Sequence, residues 1–342
     1  MKSSLFTRPK QAIARWCQTG FVPQPAQGWE WLFMRLFLAL LVFYSLQEFK
    51  PYTFDEQSVP RGLARFLDLT FLHEQGPIDL SALKRLEIPV LGTIRLNGQG
   101  WFDTVVVLSA VLGALYVWGR GLLITLPLLA LLHTIPWTFS NSQGYTHHGN
   151  QLVSMVLIVQ TIVVWWWQIR VWRGKPRLPA GLEGHLIYYS QGMVAFSYVA
   201  CAITKIVNSK GLWLWRSNNI CIELIKSHRL EYYENLSPEL AGDPAAAIWL
   251  LNHPWTTRLL FDVGFFVELL AVIALRNRPY ALLVGCSIIA FHRSVWVLMR
   301  LEFPMHEYLI AIFLVNVPFW VWWAAKGRRL SPMTSPTAHS AV

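Results

Sequence analysis

The segment Leu186–Lys205, "LIYYSQGMVAFSYVACAITK", places Tyr188, Gln191, Ala195, Tyr198, Ala202 and Lys205 at steps of three, four, three, four and three residues. At helical periodicity these positions share one face, which carries nearly all the polar groups of the segment. Lys205 is the only Lys, Arg, Asp or Glu between Leu186 and Lys205. Such a face is unsuited to lipid and is expected to point into a helix bundle or a wet cavity. Two readings of Lys205 stand. Its stem can lie in lipid while the ammonium snorkels to the headgroups. Alternatively it sits in a poorly hydrated pocket and, once deprotonated, serves as a general base. Gln191 and Tyr198 on the same face, and the aromatic run "LWLW" just beyond, favour the second.

Other residues invite the same question. Glu268, in "FFVELLAV", is a carboxylate within an apolar run and needs a partner; Arg35, Lys205, His292 and Arg293 are the available cations. It is either a structural pair or part of a proton relay. His292 and Arg293 belong to a polar face continued by Trp296 and Arg300, so His292 can pair with Glu268 or hold a ligand carbonyl. His133 and His148 raise the question of a metal or haem, but Pro136 and a loop separate them and no third ligand stands at diagnostic spacing. Neither group is expected. The sequence has no CxxC, Walker loop, GxSxG, HExxH or dinucleotide fingerprint. Its four cysteines suggest no structural disulfide.

The elements that must position these groups are membrane helices. Of 342 residues, 54% are hydrophobic and only 14% charged, a balance too apolar for a soluble domain. Apolar windows long enough to cross ~30 Å of hydrocarbon recur along the chain. They fall at Trp31–Glu48, Phe102–Trp118, Gly121–Phe139, Gln151–Gln168, Leu186–Ile206, Leu259–Leu275, Tyr280–Met299 and His306–Trp323. The expected fold is therefore all-α and polytopic, with about eight transmembrane helices. The net charge of +10 lies beside these windows and forms no basic domain, so nucleic acid is not an expected partner. Lys and Arg occupy every second connection, including Arg170, Arg173, Lys175 and Arg177, and Arg276 with Arg278. That pattern puts both termini in the cytoplasm and the long segments 49–101 and 207–258 outside.

Residues 1–28 read as a cytoplasmic basic segment without a cleavable signal, in which Ile13, Trp16, Cys17 and Phe21 suit an interfacial helix. Residues 324–342 read as a short disordered tail. No internal repeat or broken helix of transporter type is visible.

Taken together, these motifs resemble the HTTM (horizontally transferred transmembrane) domain family, related to the membrane part of vitamin K-dependent gamma-glutamyl carboxylase. "YYSQGMVAFSYVACAITKIVNSKGLWLW" resembles its lysine-bearing helix. "LFMRLFLALLVFY", "HHGNQLVSMVLIV", "GFFVELLAVIALRNRPY" and "IIAFHRSVWVLMRLEFPMHEYLIAIFL" resemble other family segments in order, over Trp29 to Trp323. One departure is Arg216, which follows Trp215 where the family usually has glycine. The carboxylase's large lumenal domain has no counterpart after the eighth window, so the outer loops or a separate protein would have to recognise a polypeptide.

The resemblance implies a function. Lys205 takes the position of the base linked to hydroquinone oxygenation, and His148, ahead of His147, that of an assisting histidine. Gln191, Tyr198, His292, Arg293 and Glu268 are the expected cofactor-binding set. The cofactor would be a reduced quinone: vitamin K hydroquinone, menaquinol or ubiquinol. The partners would be the lipid bilayer and a secreted peptide or protein, modified at a site facing outward from a bacterial inner membrane. The other reading is a non-catalytic membrane factor for maturation or export of a secreted peptide, like the HTTM proteins linked to sporulation-delaying-peptide production.

Overall fold

The computed structural model describes residues 20–27, 29–48, 85–88, 92–95, 101–142, 148–235, 242–299 and 301–326. Its secondary structure is helical apart from one antiparallel pair of four-residue strands, β1 (Arg85–Ile88) and β2 (Gly92–Arg95), which pair Leu86 with Ile94. The helices in chain order are α1 (Glu30–Glu48), α2 (Trp101–Trp118), α3 (Leu122–Ser142), α4 (His148–Trp172), α5 (Gly181–Asn208) and α6 (Trp213–Arg216). There follow α7 (Ile220–Asn235), α8 (Ala245–Asn252), α9 (Pro254–Leu269), α10 (Arg278–Met299), α11 (Pro304–Ile310) and α12 (Val317–Lys326). His147, most of the N-terminal basic segment and the tail beyond Lys326 lie outside the described residues.

Six spans among the described residues are long and apolar enough to cross a membrane: Glu30–Gln47, Leu122–Ser142, His148–Trp172, Gly181–Asn208, Arg278–Met299 and Pro304–Ala325. This is an integral membrane protein. Between 28% and 50% of each of these spans is buried inside the bundle, which leaves the remaining side chains for lipid. The other two expected windows also fall on helices, but shorter ones. Phe102–Trp118 makes up most of α2. Leu259–Leu275 is divided, because α9 ends at Leu269 and the chain continues as a 3-10 turn over Ala271–Leu275.

Consecutive helices α1 to α5 pack as antiparallel neighbours, and α5 also packs against α9 and the 3-10 turn after it. The last span returns to α1 and closes the bundle. Inside, several polar side chains pair with one another, as hydrocarbon favours. Tyr116 donates to Gln160 at 2.7 Å, and the Gln160 amide donates to Ser190 at 2.9 Å. The two ring nitrogens of His133 lie 2.7 Å from Ser45 Oγ and 2.8 Å from Ser154 Oγ, so both have partners. Arg35 sits at the end of α2, where its Nη1 donates to the Tyr116 carbonyl at 3.3 Å and its guanidinium lies 5.0 Å from the Trp31 ring. A cation there complements the unpaired carbonyls of a helix C-terminus.

The last span departs from expectation, because it is broken. After α11 the helix widens into a π turn over Ala311–Val315, Asn316 adopts a left-handed conformation with φ 53°, and α12 restarts beyond it. The cause is local. Pro318 has no N–H to continue the preceding helix and suits a first turn, while the Asn316 side chain accepts from the Phe319 N–H at 3.2 Å as a cap. The absence of broken helices, expected from sequence, is thus overturned. The break is held from two sides. Gln191 donates to the Phe313 carbonyl at 2.8 Å, and Asn316 donates to Glu30. Glu30, with no exposed surface, also accepts from Arg278 Nη2 at 2.8 Å and from the Gln27 N–H at 2.7 Å.

Candidate functional site

The polar stripe of α5 points inward. Gln191, Ala195, Tyr198 and Ala202 are buried, Tyr188 and Lys205 partly so, and the intervening Phe196, Ala200 and Ile203 are exposed. Of the four cations open to Glu268, the structure selects Lys205: its ammonium donates to Glu268 Oε2 across the α5–α9 contact. The Glu268 side chain is 7% exposed and that of Lys205 27%. The pair is therefore largely, not wholly, withdrawn from solvent.

Chain geometry beyond α5 builds a cover for this pair. Lys210 takes φ 54°, the Gly211 N–H donates to the Ile206 carbonyl at 2.8 Å, and the Lys210 N–H donates to the Val207 carbonyl at 3.0 Å. This is a Schellman ending, which reverses the chain direction. It brings α6 back over the end of α5, with the Trp213 ring centroid 5.5 Å from Lys205 Nζ. Phe291 of α10 approaches to 5.9 Å from another side. Both rings lie within cation–π range. Arg258 of α9 anchors α6 through the Trp215 carbonyl at 2.9 Å. Beyond it, α7 and α8 form a small second core of Cys221, Leu224, Ala247 and Leu250, packed on Leu298 and Met299 at the end of α10.

Two turns earlier on α5, the Tyr198 hydroxyl lies 3.4 Å from His292 Nε2. The His292 ring is stacked on Phe303 with centroids 4.7 Å apart. His292 is 5% exposed, and its Nδ1 has no hydrogen-bond partner among the described residues. His306 stands edge-on to His292 at 6.0 Å and lies 6.4 Å from Tyr198. At Gly149, next to His148, an added Cβ would meet Met305 Cβ at 2.7 Å and His306 Nδ1 at 3.2 Å. The start of α4 therefore abuts the start of α11, which puts His148, itself exposed, at the rim beside His306.

Of the residues singled out from sequence, Lys205, Glu268, Tyr198 and His292 converge, with His148 at their edge. Gln191 does not join them: fourteen residues along α5 separate it from Lys205 by about 21 Å, and its amide serves the broken last helix. Arg293 turns to Glu307 and, with Trp296 donating to Glu302 at 3.1 Å, secures the connection between α10 and α11. Arg35 is committed to the end of α2. The run "LWLW" had pointed to Trp213, whereas sequence reasoning singled out none of His306, Phe291 and Phe303. The segment "EFPMHEY" carried a signal for His306, a histidine two residues beyond a helix-starting proline.

A paired ammonium and carboxylate, a phenol, two imidazoles and three aromatic rings are thereby brought together along α5. Among the described residues no three His, Cys, Asp or Glu side chains are grouped as metal ligands. No protein-family model, curated protein or solved structure matches the chain.

Proposed function

We propose that this chain is a quinol-dependent membrane enzyme of the kind its HTTM-like segments imply, acting on an extracytoplasmic peptide. On this reading eight helices cross a bacterial inner membrane, both termini are cytoplasmic, and the Lys205 site opens outward. The observation that carries the proposal is the Lys205–Glu268 pair beneath Trp213, beside Tyr198 and His292.

When bound, a reduced quinone would react with oxygen to give quinone epoxide and water, while a substrate C–H loses its proton and the carbon takes up carbon dioxide. The residues have separable tasks. Lys205 must give up a proton before it can accept one, and the Glu268 carboxylate is the acceptor in contact with it. Tyr198 and the unpartnered Nδ1 of His292 are the groups that would meet ring oxygens. Phe303 and Phe291 would flank the ring. His148, exposed at the rim, would exchange protons with solvent.

The test supplies purified protein with reduced quinones and oxygen and follows quinone epoxide by mass spectrometry, with Lys205→Ala as control. Epoxide that vanishes in the variant is expected; no epoxide from either protein with several quinones would sink the reading. The second reading, a non-catalytic factor for peptide maturation or export, is favoured by one observation. The Lys205 ammonium is already engaged by Glu268, as in a structural pair. Under that reading Lys205→Arg, which keeps a cation there, leaves peptide maturation in cells intact, whereas a proton-accepting lysine does not tolerate the change.

A further inference from the structure

Tyr198 of α5 and His292 of α10 meet through their polar ends, the hydroxyl 3.4 Å from Nε2. Both side chains are buried, and neither the hydroxyl nor Nδ1 has a further hydrogen-bond partner among the described residues. Phe303 stacks on the imidazole, while His306 and Phe291 stand near it with ring centroids at 6.0 and 6.3 Å. With one ring proton, an imidazole has one N–H and one bare nitrogen, and the bond made at either nitrogen decides which is which. Two arrangements are open here. Nε2–H can donate to the phenol oxygen and leave Nδ1 bare, or the phenol can donate to a bare Nε2 and leave the proton on Nδ1.

Acidity and basicity decide between them. A phenol, with an ordinary pKa of about 10, gives up its proton far more readily than a neutral imidazole N–H, and a bare imidazole nitrogen is far more basic than a phenol oxygen. The stronger bond is therefore O–H···N, from Tyr198 to His292. It places the ring proton on Nδ1. Because a buried donor without a partner is costly, that N–H calls for an acceptor that the described residues do not supply. We infer that Tyr198 is a positioning residue that fixes this tautomer, so that His292 presents a donor to the ligand and holds an oxygen that accepts, a carbonyl or an ionised hydroxyl. The inference deepens the quinol reading, on which it rests only for the identity of that oxygen. It makes His292 a donor in the site and leaves proton removal to Lys205.

The test reads the tautomer itself. Full-length protein with isotope-labelled histidine nitrogens is placed in lipid nanodiscs and studied by solid-state NMR at neutral pH, with the His292 signals recognised by their loss in His292→Asn and His292→Gln. A protonated Nδ1 and a bare Nε2 are expected in the ligand-free wild type, whereas in Tyr198→Phe a large share of the proton moves to Nε2. A wild-type proton on Nε2, a doubly protonated ring, or the same tautomer in wild type and Tyr198→Phe would overturn the inference. Menadione, a quinone whose oxygens only accept, tests the ligand. Its binding is expected to shift the Nδ1 signal, and its affinity to fall roughly tenfold, ~1.4 kcal/mol, in Tyr198→Phe and His292→Gln. In His292→Asn, whose amide nitrogen stands where Nδ1 did, affinity is retained, a rescue that a packing role does not produce. Menadione that binds without moving the Nδ1 signal would also overturn the inference. If the tautomer is as expected and menadione does not bind, the assignment of the donor stands and quinone loses its support as the ligand of this site.

Discussion

Lys205 and Glu268 meet side chain to side chain across the contact between α5 and α9, 63 residues apart in sequence. Each keeps the other's charge compatible with an apolar surrounding. Removing one partner by Lys205→Ala is expected to lower stability by about 2–3 kcal/mol, somewhat below the ~3–5 kcal/mol of a fully buried pair because Lys205 retains some solvent contact. Combining Lys205→Met with Glu268→Met is expected to recover most of that loss. Thermal unfolding in detergent, followed by helical circular dichroism, reads both effects. A double variant no more stable than Lys205→Ala would show that the pair is not the source of the cost.

Glu30 satisfies Arg278, Asn316 and the Gln27 N–H at once. Glu30→Ala strips a largely buried network of the carboxylate at its centre, and a loss of about 3 kcal/mol is expected. Arg278→Lys keeps the charge but not the forked donor geometry, so a smaller loss is expected. The order of the two melting temperatures checks the assignment.

The left-handed Lys210 at the end of α5 occupies a position where glycine carries no steric penalty. Lys210→Gly is expected to raise stability by about 1 kcal/mol. A lower melting temperature would mean that the lysine side chain contributes more than its backbone strain costs.

Gly264 of α9 faces Phe291: an added Cβ would fall 2.3 Å from the ring. Gly264→Ala is therefore expected to cost about 1–3 kcal/mol by overpacking. It should also displace the ring that flanks Lys205. Adding Phe291→Ala should relieve the clash, so that the double variant loses less than the sum of the singles.

Gln191→Leu tests a residue that the sequence placed with the cofactor. Its amide serves the Phe313 carbonyl, so the variant is expected to lose about 1 kcal/mol of stability and to leave ligand affinity at the Lys205 site unchanged. A fall in affinity at equal stability would restore Gln191 to the site.

How much of this was legible in the sequence differs residue by residue. Spacing alone oriented the α5 stripe, because helical period is a local property and lipid tolerates no polar face. It also marked Glu268 as needing a cation. Which cation could not be read, since the choice depends on how α5 and α9 pack. Glu30 went unremarked because it stands one residue before the first apolar window, where a charge looks ordinary. The break at Asn316 did have a local signal in "NVPF", but it was hidden inside a run apolar enough to pass as a single helix. His306 lay in a quoted motif and gained meaning only when α11 was seen against α4 and α10.

The Glu30–Asn316 contact joins residues 286 positions apart. During synthesis at ~5–20 residues per second, roughly 15–60 s pass between the emergence of the first residue and the last. Through that interval the carboxylate at the head of α1 waits for its partner, and Arg278 arrives before Asn316 does. The bundle therefore closes late, as a clasp fastened by the last of the described spans to be made. Chains truncated ahead of Asn316 would insert their earlier helices yet remain open, and quality-control proteases would meet them as unfinished molecules.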